Sequence, residues 1–383
     1  MPNRPTDPPD FDWLHTSPGR GVPSEAVEET RVIPRSPRPG PAAPPPKPPA
    51  RGPVVEPSGS RRRPRLKTVA VVVLLVLLAW AAFLVAVPTN DWKKVDKIDA
   101  FPTASRPAEQ PGTTYLLVGS DSRKGLSRAE SRKLGTNGVG DVGQRTDTIM
   151  LLHIGDGKPV LLSIPRDSLV AIPGHGTTKI NAAFAYGGAR LLVRTVEQNT
   201  GVRIDHFIEI GFGGFVNAVD AVHGVTICPT ARMVDRRANL RIRRGCQEVD
   251  GVTALGYARS RHSDPRYGDI TRAQHQREVV SAIGAKVKSP WSVLNPWRYS
   301  SLISAATTSL RVSNGTGVLD MAHFARAMTQ VNGTSGLTCS MPIRDLAVHW
   351  DRPRALALLK FIKTDRTDDI PASLCLPKGL KVT

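Results

Sequence analysis

The strongest constraint in this sequence is a run of twenty residues without a charge, Thr68 to Val87, reading TVAVVVLLVLLAWAAFLVAV. At 1.5 Å per residue, a helix of that length crosses a hydrocarbon core of roughly 30 Å. A secretory signal has a shorter apolar core, about 7–15 residues, and ends at a small-residue cleavage site. Here the run leads instead into Pro88 and then Asp91-Trp92-Lys93-Lys94. It is apolar on every face, unlike a helix that covers one side of a soluble core. The expectation is a single-pass transmembrane helix over residues 68–87.

Its flanks give a direction. Arg61, Arg62, Arg63, Arg65 and Lys67 crowd the N-terminal side, and such clusters stay in the cytoplasm. Lys93, Lys94 and Lys97 oppose this more weakly. The chain is therefore expected to sit in the cell membrane with its N-terminus cytoplasmic and everything after Pro88 extracytoplasmic. Residues 1–67 hold 18 of the 33 prolines and almost no periodic apolar pattern. Such a segment cannot bury enough surface to offset its ordering entropy, so it reads as a disordered, Pro-rich cytoplasmic tail.

The net charge of +19 divides unevenly: the tail carries 12 Lys/Arg against 7 Asp/Glu, and residues 88–383 carry 40 against 26. A strongly basic domain suggests a polyanionic partner. Outside the membrane, that partner is a lipid head group or an anionic wall polymer. A nucleic-acid partner is not expected, since zinc spacing and a helix-turn-helix signal are both lacking. All four cysteines, Cys228, Cys246, Cys339 and Cys375, follow the membrane segment. On an oxidising side an even count permits disulfides. Of three connectivities, Cys228–Cys246 with Cys339–Cys375 closes the shortest loops; buried free thiols are the alternative.

The 296 residues after the span alternate strand and helix signals. Tyr115–Val118, Thr148–Leu152 and Val160–Ile164 are short apolar runs, and the last two flank a Gly-Asp-Gly-Lys-Pro turn that predicts an antiparallel hairpin. Apolar spacing predicts a helix over 187–200, stopped by Gly201. A strand over 207–210, a helix over 212–222 and a strand over 225–227 follow. This alternation implies an α/β fold, an αβα sandwich around a central mixed β-sheet. Residues 124–144 are polar and Gly-rich and read as a mobile loop. Their Gly138-Val-Gly140-Asp-Val-Gly143 matches a dinucleotide fingerprint but follows no strand and opens no helix, so it lacks the mechanism.

What carries chemistry is an excess of Arg and Asp at strand ends, where α/β proteins place ligands. Asp121 follows the first strand. Arg145 and Asp147 open the next, two apart and so on one face. Arg166 and Asp167 follow the third. Further on, Arg259 and Arg261 alternate in what reads as an extended stretch. Asp269 reads as the cap of a helix from Ile270 to about Lys288, with Arg272, His275, Gln276 and Val279 on one face. Arginine is permanently charged and bidentate toward phosphate, so arginines beside paired carboxylates suit Mg²⁺-assisted phosphate chemistry. For any one of these residues a surface ion pair is the ordinary explanation; the constellation favours function.

Five ordered motifs then give the chain a likeness: Gly119-Ser-Asp121-Ser-Arg123, Arg145-Thr-Asp147-Thr-Ile149, Ser163-Ile-Pro-Arg166-Asp167-Ser168, Lys179-Ile-Asn181, and Arg259-Ser-Arg261-His262 with Asp269, Arg272 and Gln276. Over residues 113–285 the sequence resembles the LytR-CpsA-Psr family. The resemblance implies a transferase that moves a glycopolymer from a polyprenyl-pyrophosphate carrier to a peptidoglycan acceptor by Mg²⁺-assisted phosphotransfer outside the membrane; a pyrophosphatase side activity is compatible with that chemistry. It implies that Asp121 and Asp147 hold Mg²⁺, with Arg145, Asp147 and Asp121 catalytic. It also implies that Arg145, Arg166, Arg259, Arg261, Arg272 and Gln276 grip the pyrophosphate. His275 stands where the family often has arginine. The expected layout is tail 1–67, membrane helix 68–87, juxtamembrane linker 88–112, catalytic domain 113–285 and C-terminal extension 286–383. Two other classes stay open: a non-catalytic lipid- or wall-binding protein, and a DNA-binding transcriptional regulator, which would need a cytoplasmic domain.

Overall fold

In a computed structural model the described residues are 66–103, 105–122, 132, 146–236, 238–260, 268–287, 289–331, 335–345 and 348–376. The tail, most of the expected 124–144 loop, Arg145 and Arg261 lie outside them. The chain from Pro64 onward forms one compact unit.

The apolar run forms the first helix, α1 (Leu66–Asp91), which extends past the expected segment at both ends. It is the one helix among the described residues long and apolar enough to cross a membrane, with a mean hydropathy of 3.1. A single 3-10 turn (Trp92–Lys94) leads from it into β1 (Asp96–Ile98).

The remaining strands follow in chain order: β2 (Thr113–Ser120), β3 (Thr146–Ile154), β4 (Val160–Ile164), β5 (Leu169–Ile172), β6 (Gly176–Lys179) and β7 (His206–Ile210). Four short ones come next, β8 (Val225–Ile227), β9 (Met233–Asp235), β10 (Leu240–Ile242) and β11 (Gln247–Val249), then β12 (Leu310–Ser313) and β13 (Leu337–Ser340). Between them run α2 (Asn181–Thr200), α3 (Phe212–Ala221), α4 (Gly251–Arg259), α5 (Gly268–Val287), α6 (Trp291–Leu294), α7 (Pro296–Ser309), α8 (Val318–Met328) and α9 (Arg352–Lys363).

Seven strands make one mixed sheet in the order β1-β12-β7-β2-β3-β4-β13. The β3–β4 pair is antiparallel, as the turn between them predicts, with Ile149 opposite Ile164. Alternation along the strands sends side chains to two faces, and each face has its own apolar cluster. Leu116, Val118, Ile149, Leu151 and Leu162 pack with Leu192 and Val196 of α2 and Leu358 and Ile362 of α9. Tyr115, Met150, Leu152, Leu161 and Ile208 pack with Ala327 and Met328 of α8. Helices thus cover both faces, the expected three layers. A third cluster joins α3, α4 and Val279 of α5 to the short strands β8–β11.

Residues 88–112, expected as a linker, contribute the edge strand β1, which pairs with β12. Residues 286–383, expected as an extension, contribute β12, β13 and two core-covering helices. The helix expected from 187 starts earlier and carries a break at Gly187 and Gly188. Gly188 has φ 60°, ψ −155°, a conformation open to glycine alone at little cost. The cysteines are bonded Cys228–Cys246 and Cys339–Cys375, the connectivity with the shortest loops.

Candidate functional site

The strand directions bring the C-terminal ends of β2, β4, β7 and β13 to one edge of the sheet, with the N-terminal end of β3 among them. Asp121 follows β2 there, Gly211 follows β7, and Arg166 follows β4 at the turn Ile164-Pro165-Arg166. Sheet topology therefore brings Asp121, Asp147 and Arg166 to the same edge.

Asp147 sits in the second position of β3, and the register there is irregular. Gly119 pairs with Thr148 and Ser120 with Thr146, so Asp147 is the extra residue of a β-bulge. A bulge re-aims a side chain away from the regular alternation between the two faces, and such devices concentrate beside active sites. The expected sharing of one face by Arg145 and Asp147 lies outside the described residues, which resume at Thr146. The Asp147 carboxylate accepts a hydrogen bond of 2.6 Å from the Arg166 guanidinium and keeps 26% of its side chain exposed. Arg166 also donates through Nε to Asp167 at 3.2 Å, and Lys179 reaches the other Asp167 oxygen at 2.7 Å. Lys179 is 58% exposed, so this chain of four alternating charges runs from the bulge out to solvent.

The loop that carries Arg166 is fixed by its backbone. Ser168 N–H donates to Pro165, while Ile180 and Asn181 N–H groups donate to the carbonyls of Ser168 and Arg166. The Lys179-Ile-Asn181 motif thus works by clamping the Arg166 turn, and Lys179 adds its charge. Inside the same edge, Thr146 Oγ1 is buried with no hydrogen-bond partner among the described residues.

The other arginines arrive from helices. Asp250 caps α4 by accepting from Thr253 N–H at 2.8 Å, and the helix runs on through Arg259. This corrects the expectation that Arg259 lies in an extended stretch: Arg259 is the last helical residue, and extended backbone begins at Ser260. Its guanidinium stacks over the Phe212 ring, 4.6 Å from the centroid. Phe212 opens α3, and its N–H donates to the Ser122 carbonyl beside Asp121. A Cβ on Gly211 would come within 3.1 Å of that carbonyl oxygen, so a side chain there would crowd the approach of α3 to the β2 end.

Helix α5 begins at Gly268, which puts Asp269 inside its first turn, a correction to its expected place as the cap. Arg272 lies in the backbone of that helix, with its side chain outside the described set, and Gln276 is half-buried. His275 stacks on Tyr257 of α4 with ring centroids 4.1 Å apart, and Tyr257 donates to Glu278 at 2.5 Å. Burial holds the His275 imidazole below its ordinary pKa and pushes the Tyr257 hydroxyl above its own. His275 thus packs α5 onto α4 through its stacked ring. Two residues on, Arg277 donates to Ser340 Oγ at 2.9 Å, reaching the end of β13.

The sequence reading passed over Glu209. It sits on the inner strand β7, 1% exposed, accepting from Ser120 Oγ at 2.7 Å and from Arg311 at 3.2 Å. A lone carboxylate between Ile208 and Ile210 was the available signal. Arg311 in turn donates to Asp96 at 3.1 Å. This network, buried at Ser120 and Glu209 and exposed toward Asp96, anchors the residue immediately before Asp121.

Fold and edge together define a mixed α/β domain that gathers carboxylates and arginines at the carboxyl ends of its strands. Residues 85–348 match the LytR_cpsA_psr family, and the chain belongs to it. It is 44% identical over 334 residues to the "Probable cell wall biosynthesis protein LcpB" of Corynebacterium glutamicum, covering 81% of this chain and 76% of that one. It is 39% identical over 188 residues to the "Polyisoprenyl-teichoic acid--peptidoglycan teichoic acid transferase TagT" of Bacillus subtilis, covering 47% of this chain and 54% of the relative. Among solved structures it resembles a "LytR-Csp2A-Psr enzyme" from Actinomyces oris, with TM-score 0.57 at 19% identity over 70% of this chain and 96% of the other. That last likeness concerns the fold.

Proposed function

We propose that this protein is a membrane-anchored, extracytoplasmic transferase that moves a glycopolymer from a polyprenyl-pyrophosphate carrier to peptidoglycan. The observation that carries the reading is Asp147, lifted out of the ladder by a bulge and held by Arg166 at 2.6 Å on an edge that also bears Asp121. The name of the TagT relative describes a transferase that uses a polyisoprenyl-linked donor and a peptidoglycan acceptor. The apolar helix α1 and the positive cluster before it support the anchor and its orientation.

In this reading Arg145, Arg166, Arg259, Arg261 and Arg272, with Gln276, bind the pyrophosphate. The acceptor hydroxyl attacks the phosphorus bound to the glycan, and the bond from that phosphorus to the bridging oxygen breaks. The electron pair leaves on polyprenyl phosphate, and the hydroxyl proton passes to a carboxylate at the edge, Asp147 or Asp121. Charge grows on the departing phosphate, so fixed arginines stabilise the transition state more than the ground state. No covalent protein intermediate is needed.

The donor chemistry of the edge fits Mg²⁺: two carboxylates offer hard oxygens, and Mg²⁺ characteristically binds through one or two carboxylates together with substrate phosphates. Asp121 and Asp147 would hold it, and when bound it would neutralise phosphate charge and polarise the phosphorus. The test is release of polyprenyl phosphate from a synthetic donor by the full chain in detergent, with peptidoglycan fragments supplied. Turnover with Mg²⁺ that stops in EDTA supports the reading; tight donor binding without turnover under any condition would replace it with a lipid- or wall-binding role.

A further inference from the structure

Outside that edge, the described residue with the greatest exposure among large apolar side chains is Trp297, at 80%. It belongs to a patch with Trp291, Val293 and Leu294, contributed by α6 and the start of α7. The local sequence builds the patch. Pro290 opens α6, Asn295 caps α7 by accepting from Arg298 N–H at 3.0 Å, and Pro296 takes its first turn. Each tryptophan directly follows one of these prolines and stands outward.

A hydrogen bond fixes where the patch lies. Pro88 is inside α1, and a proline has no N–H to give to the carbonyl four residues earlier. That carbonyl belongs to Leu84, and the Tyr299 hydroxyl of α7 donates to it at 2.7 Å. Tyr299 also packs against Phe83, ring centroids 5.9 Å apart. In hydrocarbon an unmet backbone acceptor is costly, so Tyr299 repairs the one gap that Pro88 makes. Leu84 lies three residues before Val87, the end of the apolar run, a rise of roughly 4.5 Å along the helix. Trp297 is two residues from Tyr299. Beyond the exit, Trp92 Nε1 donates to the Thr316 carbonyl at 3.3 Å, and Lys93 and Lys94 are exposed.

Tryptophan and tyrosine with an apolar body and a polar edge collect at the boundary between head groups and acyl chains, and a cluster of exposed apolar side chains marks an interaction site. We propose that α6 and the start of α7 are a membrane-docking surface, with Trp291, Leu294 and Trp297 seated in the head-group boundary of the bilayer that α1 crosses. This rests on the membrane-anchored reading above. It has a consequence for that reading: α7 packs on α3, whose first residue bears Arg259, so docking sets the height of the arginine edge over the bilayer that carries the donor.

The test places the full chain in phosphatidylcholine–phosphatidylglycerol vesicles with brominated acyl chains and records tryptophan quenching for the native protein and for Trp291→Phe with Trp297→Phe. Trp80, within the apolar run, reports on anchoring. The double variant is expected to lose the share of quenching due to its two tryptophans and to keep the Trp80 share. Unchanged quenching in the double variant would overturn docking while leaving anchoring intact. Absence of quenching in both forms would remove the anchor and the docking together. If acrylamide in the water also failed to reach Trp291 and Trp297, the occupant of the face would be protein, a second copy or another chain, and the lipid assignment would fall.

Discussion

The two ends of the β2–β3 pair are built from the same two strands and both carry buried polar groups, yet they do opposite things. At the Thr113–Ile154 end the register is regular. Thr114 Oγ1 meets His153 Nδ1 at 2.9 Å, His153 Nε2 meets Asp365 at 3.1 Å, and the other Asp365 oxygen accepts from Asp156 N–H at 2.8 Å. Thr114 N–H donates to Asp205 at 2.8 Å. That network ties β2, β3, the residue before β7 and the region after α9 together around a buried pair, His153 at 2% and Asp365 at 9% exposure. At the Ser120–Thr146 end the register slips, Asp147 and Lys179 stay open to solvent, and Thr146 Oγ1 has no partner among the described residues. Charge at a strand end is therefore not itself a site. What sets the Ser120–Thr146 end apart is its irregular register and its row of alternating charges running out to Lys179.

Four changes can break or sharpen that contrast. The largest effect is expected at the open end: Asp147→Ala or Arg166→Ala should lower donor turnover by about 10²–10³-fold, the scale for losing one preorganised charge contact in a transition state. Thermal midpoints should stay within a few degrees, and a collapse of folding instead would make the pair structural. Next, Glu209→Ala removes a buried acceptor of two hydrogen bonds, one from a charged group, and should cost about 2–3 kcal/mol in urea unfolding. A smaller loss, about 1–3 kcal/mol, is expected for Asp365→Ala at the Thr113–Ile154 end, with turnover per folded molecule unchanged; reduced turnover there would erase the distinction between the ends.

The smallest effect concerns pH. Burial holds His153 below its ordinary value of 6.5, against the opposing pull of Asp365, and burial does the same for His206 and His275. A depressed folded-state value means the unfolded chain binds the proton more readily. The stabilising effect is thus complete above about 6.5 and is lost as pH falls toward the folded values. Unfolding midpoints should decline between pH 7 and pH 5, and His153→Gln should flatten part of that slope. A midpoint that rose on acidification would contradict the sign.

Much of this was legible in the sequence, for identifiable reasons. The β3–β4 hairpin could be read because both strands are apolar runs joined by a turn-forming Gly-Asp-Gly-Lys-Pro. Asp121, Asp147 and Arg166 could be read because each charge abuts such a run. The bulge at Asp147 could not, since register between strands separated by a long connection is set by tertiary pairing. Arg259 was misread because Arg-Ser-Arg alternates like a strand. The contrary signal lay upstream, in Asp250 three residues before Thr253, a helix start. Strands β12 and β13, four residues each, give too short a pattern to show that residues 286–383 complete the sheet. Glu209 was hidden because its role depends on Ser120 and Arg311, far apart in sequence and adjacent only in the folded sheet.

The central claim, that the open end receives the pyrophosphate, is tested most directly by binding. Geranyl pyrophosphate would be titrated into the full chain in detergent with Mg²⁺ and followed by phosphorus NMR, for the native protein, Arg166→Ala and Asp365→Ala. The account predicts that both phosphorus signals shift and broaden with the native protein and with Asp365→Ala, and stay as in free solution with Arg166→Ala. Binding that survives Arg166→Ala but disappears in a folded Asp365→Ala protein would place the ligand at the wrong end of the sheet and contradict it.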